Sequence, residues 1–256
     1  MSNAETPSGT AGRVPHSKTS GAAQAPVRDA RLLAGLTGLL FLVTFATSIP
    51  ALLVFYGPAL GDPAFIHGGD FSRSVAVGAI LEMVLIAANI GTALTLYPVL
   101  RGSCPVLAPA FVAARIVESG FIAVGIVALM ALNTLRAAPP AIDPAALTAV
   151  GAALVAVHDW TFRLGPGVVV GVGNGLILGW MMWKTRLVPR ALSVLGLIGG
   201  LALLTAGAFV ILGQIQAGST AQTIATIPEF FWELFLGLWL LLPGFDRSAI
   251  DRVLAS

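Results

Sequence analysis

Glu229 and Glu233 lie four residues apart in "EFFWELFLGLWLLLPGF" (residues 229–245), one helical turn in an otherwise apolar stretch. A carboxylate there needs a partner, a proton or a task, because burying it in hydrocarbon is expensive. Other polar residues sit in apolar runs in the same way: Glu82, Arg115 with Glu118, Asn174, and His158 with Asp159 just ahead of Asn174. These eight residues are the candidate ligand- or ion-binding set, and their chemistry is acid–base or cation binding. Arg115 and Glu118 are three apart, and Asp159 and Arg163 four apart, so each pair can meet on one helix face. Glu82, Glu118, Asp159, Glu229 and Glu233 then stand against Arg115 and Arg163, five acids against two bases. The excess of three has to be protonated, solvated or paired with a bound cation.

Other chemistries find less support. Catalytic zinc sites commonly take two or three histidines. Here only His158 lies near the acids, so no metal ligand set is assigned; His67 is in a loop and His16 near the N-terminus. No G-x-S-x-G elbow, H-E-x-x-H or P-loop is present. The single cysteine, Cys104, falls in the loop "RGSCP" and cannot form an internal disulfide.

The elements that must hold these residues are membrane helices. The chain has 256 residues, 57% of them hydrophobic and only 10% charged, with a mean hydropathy of +0.91. A soluble domain needs far more charge to cover its surface. Apolar runs of about twenty residues read as bilayer-spanning helices. Six are expected, near 32–57, 74–99, 106–132, 166–183, 191–213 and 226–242. The fold class is therefore an all-α polytopic membrane bundle. The stretch 145–163 carries His158, Asp159 and Arg163, follows Asp143-Pro144 and precedes Gly165-Pro166-Gly167. It is expected to be a short interfacial helix, separated from the fourth span by that Gly-Pro-Gly break; a seventh span is the alternative.

Residues 1–30, rich in Ser, Gly, Ala, Thr and Pro, read as a disordered cytoplasmic tail, too polar for a signal peptide. The membrane domain is expected over 31–245 and a short cytoplasmic tail over 246–256. Basic residues of short loops set orientation. Arg101, Lys184, Arg186, Arg190, Arg247 and Arg252 would share one side with the N-terminal Arg28 and Arg31, which makes both termini cytoplasmic. Arginine outnumbers lysine twelve to two, and Ala, Gly and Val abound, as in a GC-rich bacterial genome. The expected location is a bacterial inner membrane. The net charge of +2 and the absence of a Lys/Arg block argue against a nucleic-acid partner; the partner is the lipid bilayer.

At about 1.5 Å per residue, this topology brings the polar residues into one layer in the outer half. They would line an outward-opening cavity for a small ligand or cation, with only Asn89 clearly deeper. Glycines at 167, 171, 175 and 179 repeat every fourth residue, a spacing that suits close helix packing or, alternatively, an oligomer or partner interface.

Four stretches together, "ILEM" (80–83), "ARIVES" (114–119), "KTRLVPRALSVLGLIGG" (184–200) and "EFFWELFLGLWLLLPGF" (229–245), resemble the bacterial membrane family catalogued as domain of unknown function four-three-eight-six. The resemblance covers roughly residues 30–245, and Leu-Val-Pro-Arg is its most specific part. Glu82, Arg115, Glu118, Pro189, Arg190, Glu233, Trp239, Gly244 and Phe245 match its pattern; Glu229 and the His158-Asp159 pair lie outside it. The family implies a multi-span membrane protein and supplies no activity. Three functions stay open. The first is binding or transport of a proton, cation or small amphipathic molecule. The second is a membrane enzyme on a lipid-borne substrate, with His158 as base. The third is a non-catalytic accessory subunit. No internal repeat or pair of broken helices points to a two-repeat transporter.

Overall fold

The computed structural model describes residues 24–61, 63–67, 72–137 and 143–255. The expected N-terminal tail lies outside these for residues 1–23, whereas residues 24–30 already belong to the first helix. Helix α1 (Gln24–Pro50) continues through a π-helical segment, Ala51–Tyr56, into α2 (Gly57–Leu60). A 3-10 turn follows at Pro63–Ile66, then α3 (Ser72–Leu100), α4 (Leu107–Arg136) and α5 (Pro144–Leu164). Two π-helical segments, Gly165–Val169 and Gly171–Leu178, connect α5 to α6 (Gly179–Thr185); α7 (Arg190–Ile211), α8 (Thr220–Leu241) and α9 (Arg247–Leu254) complete the chain.

Among the described residues, six runs are long and apolar enough to cross a membrane: Asp29–Leu60, Ser72–Leu100, Leu107–Arg136, Pro144–Thr185, Arg190–Ile211 and Thr220–Leu241. They form a ring in chain order. Each run packs on its neighbours in sequence, and α8 closes the ring on α1. An even number of spans leaves the start of α1 and helix α9 at the same end, where they touch.

The Gly-Pro-Gly segment does not separate an interfacial helix from the fourth span. Pro166 lacks an N–H and would clash with the preceding turn of a regular helix. Here the backbone widens into π turns, which accommodate that defect without ending the helix. The result is one 42-residue run from Pro144 to Thr185. At about 1.5 Å per residue it is about twice as long as the roughly 30 Å of bilayer hydrocarbon, so part of it extends beyond the hydrocarbon. Asp143 caps it, accepting from Ala146 N at 3.2 Å.

Within a bilayer the helices gain little from hydrophobic transfer and rely on close packing. Gly171 and Gly175 lie against Gly200 of α7, the Gly175–Gly200 approach being backbone to backbone. On Gly196 rests the fully buried indole of Trp232; an added Cβ would fall 2.6 Å from the ring. Outside the ring, Phe65 seals the α2 end with Leu129, Leu132 and Tyr56. At the opposite end α9 tucks Ala249, Ile250 and Val253 under the bundle.

Candidate functional site

The ring's interior carries the polar residues, in two tiers. The first lies toward the α2 end. The π-helical turns after Pro50 set Tyr56 over Gly78, and its hydroxyl donates to Glu82 Oε2 at 2.9 Å. Neither residue is more than 2% exposed. His158 meets the Tyr56 ring edge-on, 5.3 Å between centroids. Gly125 of α4 makes room for it, since a Cβ there would lie 3.2 Å from His158 Nδ1.

The second tier is the centre of the ring. Arg115 Nη1 donates to Glu118 Oε2 at 2.7 Å, across the single turn of α4 that their spacing implied. Arg115 Nε reaches Thr92 Oγ1 at 3.3 Å, and Asn89 Nδ2 donates to Glu118 Oε1 at 3.0 Å. Asn89 is thus level with Glu118, not clearly deeper as depth counting from the span starts had it. Arg115, Glu118, Thr92 and Asn89 are all buried. Every oxygen of Glu118 has a donor, and the guanidinium also lies over the Phe41 ring at 5.7 Å.

The opposite wall is different. Asn174 Nδ2 donates to Glu233 Oε1, and Trp232 Nε1 donates to Asn174 O at 3.0 Å. Glu233 is half-buried; Glu229 is 3% exposed. Neither carboxylate oxygen of Glu229 has a hydrogen-bond partner, nor does Asn174 Oδ1. Gly175 and Gly199 leave the space that the Glu229 carboxylate fills: a Cβ on either would sit 2.8 or 2.6 Å from its Oε2.

Between the walls is a chamber of about 210 Å³, bordered by Asn89, Arg115, Glu118, Glu229 and Glu233 and by an apolar surface that includes Phe45, Ile49 and Phe230. One ordered water needs roughly 10–15 Å³ on such a measure, so the space is large enough for a ligand. A second hollow of about 460 Å³, bordered by His158, Asp159, Arg163 and Gln222, shares Leu52, Phe162, Pro166, Leu203 and Thr226 with the chamber. It forms a vestibule toward the α2 end. Asp159 and Arg163 are 3.9 Å apart in it, partly exposed, with Arg163 over the Trp160 ring.

Of the eight sequence-chosen residues, Arg115, Glu118, Glu229 and Glu233 border the chamber, with Asn174 bonded to Glu233. His158 and Asp159 border the vestibule, and Glu82 sits behind Tyr56. Sequence reasoning missed Tyr56, Thr92 and Trp232. Tyr56, a lone phenol at the end of an apolar run, was the detectable signal among them. Among the described residues, no three His, Cys, Asp or Glu side chains group so as to hold a metal ion. Cys104 is buried outside the spans. Burial pushes its thiol up from the usual range, against the pull of Lys184, so it lacks the thiolate character of a nucleophile.

No curated protein and no solved structure matches the chain. A family model does match, over residues 36–244, which takes in all six spans in whole or in part. It contains both walls of the chamber, the vestibule and the Leu-Val-Pro-Arg loop. The chain is thus an integral membrane protein that belongs to the DUF4386 family, a domain of unknown function.

Proposed function

We propose that this protein binds a small amphipathic cation, such as a protonated amine on an apolar body, in the chamber of its helix ring. The observation that carries the reading is Glu229: a buried carboxylate with two oxygens and no donor, on the chamber wall. Leaving a buried polar group unpaired is destabilising, and a cationic head would satisfy it. Asn174, behind the chamber-lining Glu233 to which it donates, leaves its Oδ1 without a donor as well. An anion is disfavoured, because the one chamber cation, Arg115, is already committed to Glu118. Phe45, Ile49 and Phe230 suit an apolar body.

The positive-inside rule supports cytoplasmic termini in a bacterial inner membrane, with the vestibule facing outward. Ligand would then enter past Asp159 and Gln222. Binding at this site is the step that any transport would need. His158 belongs to the vestibule, apart from the α8 carboxylates, which weakens its assignment as a catalytic base.

The test is a comparison of equal-length alkylamine and alkyl sulfate on the full chain in neutral detergent, read by native mass spectrometry. The amine is expected to bind, and Glu229→Gln to weaken it by about tenfold or more, the scale of one charge-assisted contact. Equal retention of the sulfate, or unchanged amine binding in the variant, would sink the proposal.

A further inference from the structure

The most specific segment of the resemblance, Leu-Val-Pro-Arg, takes no part in the chamber. It meets the end of α8 at the opposite end of the ring. There, Asp246 N donates to Leu187 O at 2.9 Å, tying the start of α9 to that loop. The enclosed pocket measures about 620 Å³ and is bordered by Arg186, Arg190, Arg252, Trp239 and Asp246. A groove of about 550 Å³ adjoins it between α7 and α8, bordered by Ala191, Leu195, Phe235 and Leu238. Pro189, Trp239 and Pro243 border both.

We infer that this pair of hollows binds one anionic phospholipid, its phosphate among Arg186, Arg190 and Arg252 and an acyl chain in the groove. Charge supports the assignment. Among the described residues, none of the three arginines is in a salt bridge. Asp246 forms no salt bridge with them; its Oδ1 accepts from Ser248 Oγ at 2.7 Å and from Ala249 N at 2.9 Å, and Arg252 acts on it only as the weakest of the influences that lower its carboxyl. Two other cations at this end are committed. Arg31 donates to the carbonyls of Leu240, Leu241 and Leu242, and Lys184 to Ser103 O. The pocket is therefore left with three guanidinium groups that no carboxylate pairs, that of Arg190 lying over the Trp183 ring at 4.9 Å, and such groups recognise phosphate.

Two details fit a built site. Arg186 holds φ 59°, the left-handed cap of α6 where glycine is usual; an arginine kept there in spite of the strain points to its side chain. Trp239 Nε1 is withdrawn from water and has no acceptor, at the junction of pocket and groove. A phosphate or glycerol-ester oxygen at that junction would be one. The groove continues into the lipid-facing surface, where Phe235 and Leu242 are exposed, so a chain can enter it sideways from the bilayer.

The experiment uses the delipidated full chain in neutral detergent, with phosphatidylglycerol and phosphatidylcholine of identical chains offered separately. Native mass spectrometry is expected to show one retained phosphatidylglycerol at about tenfold lower concentration than phosphatidylcholine, the scale of charge-assisted phosphate contacts. The triple variant Arg186→Gln, Arg190→Gln, Arg252→Gln should lose that preference. Arg252→Gln alone, exposed on α9, should reduce it without threatening the fold. Ala191→Trp, filling the groove, should weaken retention of both lipids, whereas Arg101→Gln, at the same end but outside the pocket, should change neither. Equal retention of the two lipids, or a preference that survives in Arg252→Gln and in the triple variant, overturns the inference. Displacement of phosphatidylglycerol by millimolar inorganic phosphate also overturns it, and would assign the pocket to a soluble phosphate compound.

Discussion

Glu118 and Glu229 border one chamber and are equally buried, yet they are held in opposite ways. Glu118, on the α3–α4 wall, takes hydrogen bonds from Arg115 and Asn89, one to each oxygen. Glu229, on the α7–α8 wall, takes none. The first wall is a closed polar network, whose members fix one another's rotamers and the helix pair beneath them. The second is an open valence, which a ligand can complete. Burial alone does not separate structural carboxylates from binding ones; the donor inventory does.

The largest effect should come from breaking the closed wall. Arg115→Met strands Glu118 with a single amide donor. Removing one partner of a buried pair costs about 3–5 kcal/mol, and unfolding in mixed micelles should register a loss of that size. A loss below 1 kcal/mol would mean that the pair is solvated through the chamber and that the two walls are alike. Next comes Tyr56→Phe. It deletes the one hydrogen bond to Glu82 while leaving the ring over Gly78, and should cost about 1–3 kcal/mol by the same assay. Glu229→Gln should be milder, within about 1 kcal/mol of wild type without ligand, because the wild-type carboxylate has no donor to lose. Strong destabilisation by this variant would put Glu229 in the structural class with Glu118.

Asp246 offers a comparison in water, and the smallest effect. The Ser248 hydroxyl, then the Ala249 amide, hold its carboxyl below the ordinary aspartate value of 3.8. A lowered folded value means that the cap's contribution is complete above the ordinary value and is lost as pH falls through the folded one. Hydrogen exchange of α9 should be unchanged by this group from neutral pH to about 5, then rise in more acid solution while α3 and α4 stay protected. Exchange in α9 that rose around neutral pH would mean that another group controls its docking.

Local sequence terms were easy to read here, and non-local ones were not. The Arg115–Glu118 pair was legible because both residues lie on one helical turn, where spacing alone dictates proximity. Asn89 was misjudged because α4 runs to Arg136, beyond the expected end near 132, which sets Glu118 about one turn further from that end than counted. Nothing local to Glu82 named its partner, a neutral phenol from a π-helical segment of another span. Gly165-Pro166-Gly167 was expected to end a helix, by propensity. Packing of α5 and the following π turns along α4 keeps the run continuous, with contacts that reach from Gly151 at Leu132 to Gly173 at Ala114. Each π turn also shifts which residues face inward, so no regular period predicts that Asn174 reaches Glu233. The arginine pocket needed three separate segments to converge, and no spacing along the chain relates them to one another.

Hydropathy by itself determined the helical class, the six spans and the placing of both described ends at one end of the ring. These follow from apolar run length and parity, which need no partner. Tertiary structure decided the ring order, which carboxylates have donors, where a chamber is left and which arginines stay unpaired. Those outcomes depend on helix rotation and close approach between residues far apart in the chain, and side-chain composition alone carries no information on either.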